Sequence, residues 1–510
     1  MNFDEALEKL HEIDRECRYL DQTAAVLQWD QETYLPPQGV ADRAEQLAFV
    51  RKLVHERFIA PETGRLLKEL GSDSQNLRGD ESLSPLEGDF CKVMRRRYDK
   101  AVKLPADFVS AAARAEGLSQ AAWVQARRNN DFAAFLPHLN AMIDFARKKA
   151  RYWGFGNGLL GDEYDGLLDI YEPGMTARNI SALFGPLRDG LISLLKRIAA
   201  RPQPDVSFLN REYDVAAQIR FNRVLMDRLG FDSSRGRLDV SAHPFTTSLG
   251  SDDIRITTRY YPANLLSGLF SVIHESGHAL YEMGFPREIR GTCLAEGASM
   301  AVHESQSRFW ENVAGRNRLF WDGLFPLLRD HFPGPLASVS VEDFYRAVNL
   351  VKPSYIRVEA DEVSYSLHVI LRFELEKQLF SGELEPEKLP ETWRKLMKEF
   401  LGLEPETDAE GVLQDVHWSM GSFGYFPSYA LGNLYGLQFW AKLSADLPQA
   451  EQAMGRGDFE EIHRWLRETI YRWGCRLDPP DLLQKVTGEK LSITPFLSYL
   501  EKKYTGLYGL

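Results

Sequence analysis

The sequence predicts a mainly α protein: one large helical domain of two lobes covering residues 1–510, with a small β-sheet just ahead of its most informative helix. Three observations predict it. Apolar residues recur at the helical period along most of the chain, separated by short punctuation such as LPPQG at 35–39, EPG at 172–174 and DPP at 478–480. No fixed-period repeat, low-complexity tract or apolar-poor linker divides the chain. The clearest change of period lies between Leu238 and Tyr261, where Ile254, Ile256 and Thr258 alternate with Arg255, Thr257 and Arg259 as a strand requires.

From the N-terminus, Phe3, Leu7, Leu10, Ile13, Cys17 and Leu20 mark one face of a charged helix, unlike the continuous apolar core of a secretion signal. No stretch reaches the ~18 uninterrupted apolar residues of a membrane-spanning helix, so no membrane association and a cytoplasmic location are expected. The composition is that of an ordinary folded protein, with 44% hydrophobic and 26% charged residues. Sixty-one Lys and Arg against 73 Asp and Glu leave a net charge of -12, which opposes nucleic-acid binding. Cys17, Cys91, Cys293 and Cys475 lie far apart without a CxxC pair, so a metal, if bound, is expected on nitrogen and oxygen.

The informative helix is predicted from just after Pro262 to near Gly284 and contains His274-Glu275-Ser276-Gly277-His278. Histidines four residues apart on a helix are separated by about 6 Å of rise and ~40° of rotation, so both imidazoles can meet one ion. Glu275 lies about 100° round the axis from His274, beside the metal rather than on it, where a carboxylate can take a proton from water. The other reading is a pair of surface histidines. Leu269, Phe270, Val272, Ile273, Ala279, Leu280 and Met283 nearly encircle this helix and predict burial instead. A catalytic zinc takes three protein ligands and water, so a third donor is needed. Glu304 is the choice, on a helical stretch expected from Ala295 to Gly315, with Glu296 and His303 as rivals.

With these residues the chain resembles the carboxypeptidase Taq family of metallocarboxypeptidases over almost its whole length. The matching motifs are HPF at His243 to Phe245, DxRxT at Asp253 to Thr257, HESGH, HES at His303 to Ser305, IRxxAD at Ile356 to Asp361, and GxxQDxHW at Gly411 to Trp418. WDQETYLPPQG at 29–39 and DEYDGLLDIYEPGMT at 162–176 are similar to family stretches too. The resemblance implies a helical, saddle-like molecule around a deep groove, a homodimer, and release of C-terminal residues from peptides with broad preference. It also implies Glu304 as the third ligand and zinc or cobalt as the ion.

His417, Tyr425 and Tyr429 stand in a glycine-punctuated segment rich in donors for an oxyanion, although any one tyrosine could equally be a core aromatic. A carboxypeptidase must also hold a free carboxylate, which the planar arginine fork does well. Arg357 and Arg255 are the candidates, with His243 of the HPF motif as a further substrate-binding residue. Arg357 could instead form an ion pair with Glu359 or Asp361, and Arg255 could be an outward strand residue unless its strand forms an edge that pairs with substrate. An endo-acting oligopeptidase and a noncatalytic peptide-binding protein are the competing readings of the whole chain.

Overall fold

Local capping and glycine placement account for the elements that carry the site. The computed structural model describes residues 2–156 and 162–510. The first helix spans Phe3–Thr33 and starts with a capping box, in which the Asn2 side chain accepts from the Glu5 amide and the Glu5 carboxylate from that of Asn2. It runs well past Leu20 and takes in all of WDQET. LPPQG becomes a loop and one 3₁₀ turn before the helix Val40–Phe58, EPG follows the helix Asp162–Tyr171, and Asp478 precedes the helix Pro479–Thr487.

The β signal resolves into β1 (Gly236–Val240), β2 (Thr246–Gly250) and β3 (Asp253–Thr258). Their order is β1-β3-β2, with β1 parallel and β2 antiparallel to β3. Ile254 and Ile256 point to one side and pack with Val272, Ala279 and Met283 on the HESGH helix. Those helix residues share one face, and His274, two positions from Val272, is turned about 200° away from it. The sheet thus supports the back of the HESGH helix and leaves its histidines facing a cleft.

The HESGH helix spans Leu265–Met283, capped by Asn264, whose side chain accepts from the Ser267 amide. The stretch expected to be helical from Ala295 to Gly315 divides differently. Ser299 caps an α-helix over Met300–Arg308, and the chain then widens into a π-helix over Phe309–Ala314. Residues before Ser299 are not helical, because its hydroxyl accepts from the Val302 amide and begins the helix there. The wider turn matters because π segments re-aim side chains at functional sites, and this one carries Glu311 towards His274.

Two glycines let three helices meet. A Cβ on Gly277 would lie 2.6 Å from the Ser307 Cα and 2.7 Å from the Gln306 carbonyl oxygen. A Cβ on Gly432, in the helix Pro427–Asp446, would lie 2.6 Å from the Glu304 Cγ. Only hydrogen at these positions allows the backbones so close. An apolar core with members from Ala6 to Tyr504 surrounds this junction. Among the described residues, no helix is long and apolar enough to cross a membrane.

Gly277→Ala should destabilise the protein by about 1–3 kcal/mol, since the added methyl meets backbone rather than a movable side chain. Chemical denaturation of the apo-protein measures this, and an unchanged midpoint would show that the helices separate freely.

Candidate active site

Buried polar groups need partners, and the metal helix supplies several that end on carboxylates. His274 Nε2 lies 3.7 Å and His278 Nε2 3.4 Å from the same oxygen, Glu304 Oε2. One ligand atom from each of these residues lies within 4.8 Å of the others. Ligand atoms at about 2.0–2.1 Å from a tetrahedral zinc stand roughly 3.4 Å apart, so this donor set fits one ion. The other Glu304 oxygen, Oε1, accepts from Arg308 Nε at 2.7 Å. His274 Nδ1 lies 2.8 Å from Glu311 Oε2, and His278 Nδ1 lies 2.6 Å from His303 Nδ1.

The electrostatics also suit a cation. Burial alone would raise the Glu304 carboxyl, but Arg308 and the two histidines hold it well below the usual carboxylate range. Burial lowers His278 to about 3 and keeps it neutral, as a ligand must be. Immediately around the two histidines, Glu275, Glu304 and Glu311 face Arg308 and Arg316, so carboxylates outnumber guanidiniums where a divalent ion would sit. Cys475 lines the cleft as well, but burial pushes its thiol up to about 12, so it does not offer a thiolate.

The structure separates Glu304 from its rivals. Glu296 is gripped by Arg97 at 2.6 and 3.0 Å and by Arg18 at 3.3 Å, while His303 faces His278 from behind. Glu275 stands beside the ligands, and its Oε2 accepts from the Thr246 hydroxyl at 2.6 Å. Thr246 directly follows HPF on β2, and sequence reasoning overlooked it because the motif was read only to Phe245.

The cleft has a volume of about 2190 Å³, larger than the ~300–1,000 Å³ of ordinary small-ligand sites and enough for an extended peptide. His243, Glu275, Arg357, Tyr425 and Tyr429 line it together with the converging His274, His278 and Glu304. His417 stands behind Tyr429, its Nε2 3.3 Å from the tyrosine hydroxyl. Glu376 pins this segment by accepting from the Trp418 indole, the Gly424 amide and the Tyr164 hydroxyl.

Arg357 is buried, and its Nε and Nη2 both donate to Asp415 Oδ1, at 3.0 and 2.9 Å. Nη1 donates to the Tyr365 hydroxyl at 3.1 Å. Its partner is therefore Asp415 of GxxQDxHW rather than Glu359 or Asp361. Arg372, fully buried, donates to the other Asp415 oxygen at 2.6 Å. Two buried guanidiniums thus share one carboxylate. Tyr365, also missed in the sequence, joins the two halves of the site, because the Arg308 guanidinium lies 4.1 Å from its ring centre.

Arg255 is not brought to the cleft. Its guanidinium forms a two-bond fork with Asp253 and lies 4.3 Å from the Trp29 ring centre. The strand carrying it is the middle one of three, so it has no free edge for substrate. The DxRxT segment instead supports the HPF turn, with the Thr257 hydroxyl accepting from the Phe245 amide at 3.0 Å.

Two imidazoles one helical turn apart, a glutamate from the next helix and a non-ligand glutamate between them define the HExxH class of metallopeptidases. The family model described as Carboxypeptidase Taq (M32) metallopeptidase matches residues 9–504. Thermostable carboxypeptidase 1 of Thermus thermophilus is 44% identical, with 99% of both chains covered. Carboxypeptidase 1 of Bacillus subtilis is 37% identical, with 96% of both covered. The crystal structure of M32 carboxypeptidase from Deinococcus radiodurans R1 superimposes with a TM-score of 0.95 at 39% identity, covering 99% of this chain and 100% of that one. The chain belongs to the carboxypeptidase Taq (M32) family of metallopeptidases.

Glu304→Ala should lose the metal, whereas Glu296→Ala should keep it, because Glu296 is committed to Arg97 and Arg18. Metal analysis of both variants after dialysis at limiting free zinc tests this. Metal retained by Glu304→Ala at the parent level would refute the assignment.

Proposed function

We propose that the protein removes C-terminal residues from peptides at one divalent ion held by His274, His278 and Glu304, with Glu275 as general base and Arg357 as the receptor for the substrate carboxylate. The observation that carries this reading is Arg357, which lines the same cleft as His274, His278 and Glu304 while Asp415 holds it from behind and Arg372 backs that carboxylate from the core. Of the five Arg357 donors, three are taken by Asp415 and Tyr365, leaving one on each terminal nitrogen. Those two can grip a carboxylate bidentately, and Arg357, Arg372 and Asp415 together carry an excess positive charge for it to neutralise.

When bound, the ion supplies Lewis acidity, polarising the scissile carbonyl and lowering the pKa of water towards about 7. Glu275, with one oxygen held by Thr246, offers the other to take a proton from water and pass it to the leaving amine. Burial raises its carboxyl above the usual range and so makes it a better base. Burial also pushes Tyr425 up to about 12 and Tyr429 well above its ordinary value, which keeps both hydroxyls as donors for the oxyanion. His417, neutral because burial lowers it to about 3, orients the Tyr429 hydroxyl. His243, exposed at the cleft wall, contacts the substrate.

The nitrogen-and-oxygen donor set supports zinc, with cobalt as the other ion such a site accepts. The whole chain, 1–510, acts as one catalytic domain, supported by the core that runs through it. Four free cysteines support a cytoplasmic location, and the family resemblance supports a homodimer and broad C-terminal preference.

Glu275→Gln should bind metal as the parent does and have no measurable turnover, because it removes the base but no ligand; an active variant would overturn the role. A C-terminal amide should make a good peptide nearly inert, a loss of on the order of 2–5 kcal/mol in transition-state stabilisation. Arg357→Ala should depress kcat/KM on the free peptide strongly and on the amide much less. Equal losses on both would make Arg357 structural, and efficient internal cleavage of amidated peptides by the parent would make the protein an endopeptidase.

A further inference from the structure

The two ligating histidines are supported differently from behind. His274 reaches a carboxylate directly, through Glu311. His278 reaches one only through a second imidazole, since His303 Nδ1 lies 2.6 Å from His278 Nδ1 and His303 Nε2 lies 2.7 Å from Glu282 Oε1. His278 and Glu282 are four residues apart on one face of the HESGH helix, and His303 bridges them from the next helix.

We propose that His303 and Glu282 are positioning residues that form a one-way hydrogen-bond relay fixing the tautomer and orientation of His278. The proposal rests on the reading of His278 as a metal ligand. His278 Nε2 faces Glu304 and must be unprotonated to bind an ion, so a neutral ring carries its proton on Nδ1. Only one proton fits between two ring nitrogens 2.6 Å apart. His278 therefore donates, and His303 Nδ1 accepts. The neutral His303 then carries its own proton on Nε2, where the Glu282 carboxylate, which has only acceptors, receives it.

The reverse order fails at both ends. It would place a proton on the His278 nitrogen that must bind the ion, and two lone pairs between His303 and Glu282. The carboxylate at the far end thus sets the direction of every bond back to the ligand.

The His303 ring is also mechanically fixed. A Cβ on Gly297 would lie 2.9 Å from its Cδ2, and the Tyr281 ring lies 5.3 Å away on centres. The backbone at Gly297 closes off one side of the ring and Tyr281 packs beside it. Glu282 lines both the main cleft and a second cavity of about 530 Å³, so the relay ends where water can reach it.

The test is zinc affinity of the apo-protein, measured by competition with a chromogenic chelator, together with the visible spectrum of the cobalt form and the melting of each apo-variant. His303→Ala and Glu282→Leu should weaken zinc binding by about 10–100-fold and alter the cobalt bands. His303→Asn should recover most of the affinity, because its Oδ1 takes the accepting position of Nδ1. Glu282→Gln should do the same, because its carbonyl still accepts from His303 Nε2. A His303→Ala affinity within about threefold of the parent, with normal apo melting, would overturn the relay alone. If His303→Ala does not fold, Glu282→Leu against Glu282→Gln decides by the same criterion. A parent that binds no zinc would overturn the metal reading and the relay with it.

Discussion

The site depends on how the two oxygens of Glu304 are divided. One accepts from Arg308, which fixes the carboxylate plane, and the other faces both His274 and His278. A buried carboxylate among two imidazoles and two further glutamates is tolerable only if each group has a second partner. Arg308 supplies that partner for Glu304 and for Glu311, and Glu311 in turn holds His274. The close helix crossings at Gly277 and Gly432 serve this arrangement, since a side chain at either position would push the Glu304 helix away.

A second buried charge centre adjoins the first through one aromatic side chain. Tyr365 lies against the Arg308 guanidinium on one side and accepts from Arg357 on the other. Glu275, Glu304 and Glu311 cluster round the two histidines in one half, and Arg357 and Arg372 flank the single carboxylate of Asp415 in the other. On the proposed reading a peptide with a free C-terminus complements both at once: its carboxylate suits Arg357, and its last peptide bond can extend towards His274, His278 and Glu304. An amidated or internal segment complements only the histidine half. This polarity gives a physical reason for exopeptidase action in a cleft large enough to accept longer chains.

Much of this was legible from residue spacing. The i,i+4 histidines, the apolar ring around their helix and the alternating strand before it placed the metal helix to within a few residues. The helix was expected from Ala295, whereas the Ser299 cap starts it at Met300. The π segment carries no spacing signal of its own, so Glu311 went unnoticed. Arg308 and Glu311 nevertheless stand four and seven residues after Glu304, on the same helical face, and that spacing could have revealed them. Arg255 was misplaced because strand order is not written in local sequence: a parallel crossover from β1 puts β3 in the middle. Arg357 was named as a candidate and lines the cleft, but its partner Asp415 lies 58 residues away, beyond local pattern reading.

The central claim is that one ion sits among two imidazoles and one carboxylate at this helix junction. X-ray absorption at the zinc edge of the loaded protein, with zinc content measured per chain, tests it most directly. The account predicts one zinc per chain with only nitrogen and oxygen neighbours, and a spectrum that loses one imidazole contribution in His278→Ala. A sulfur neighbour, or a spectrum unchanged by that substitution, would place the ion elsewhere and contradict the account.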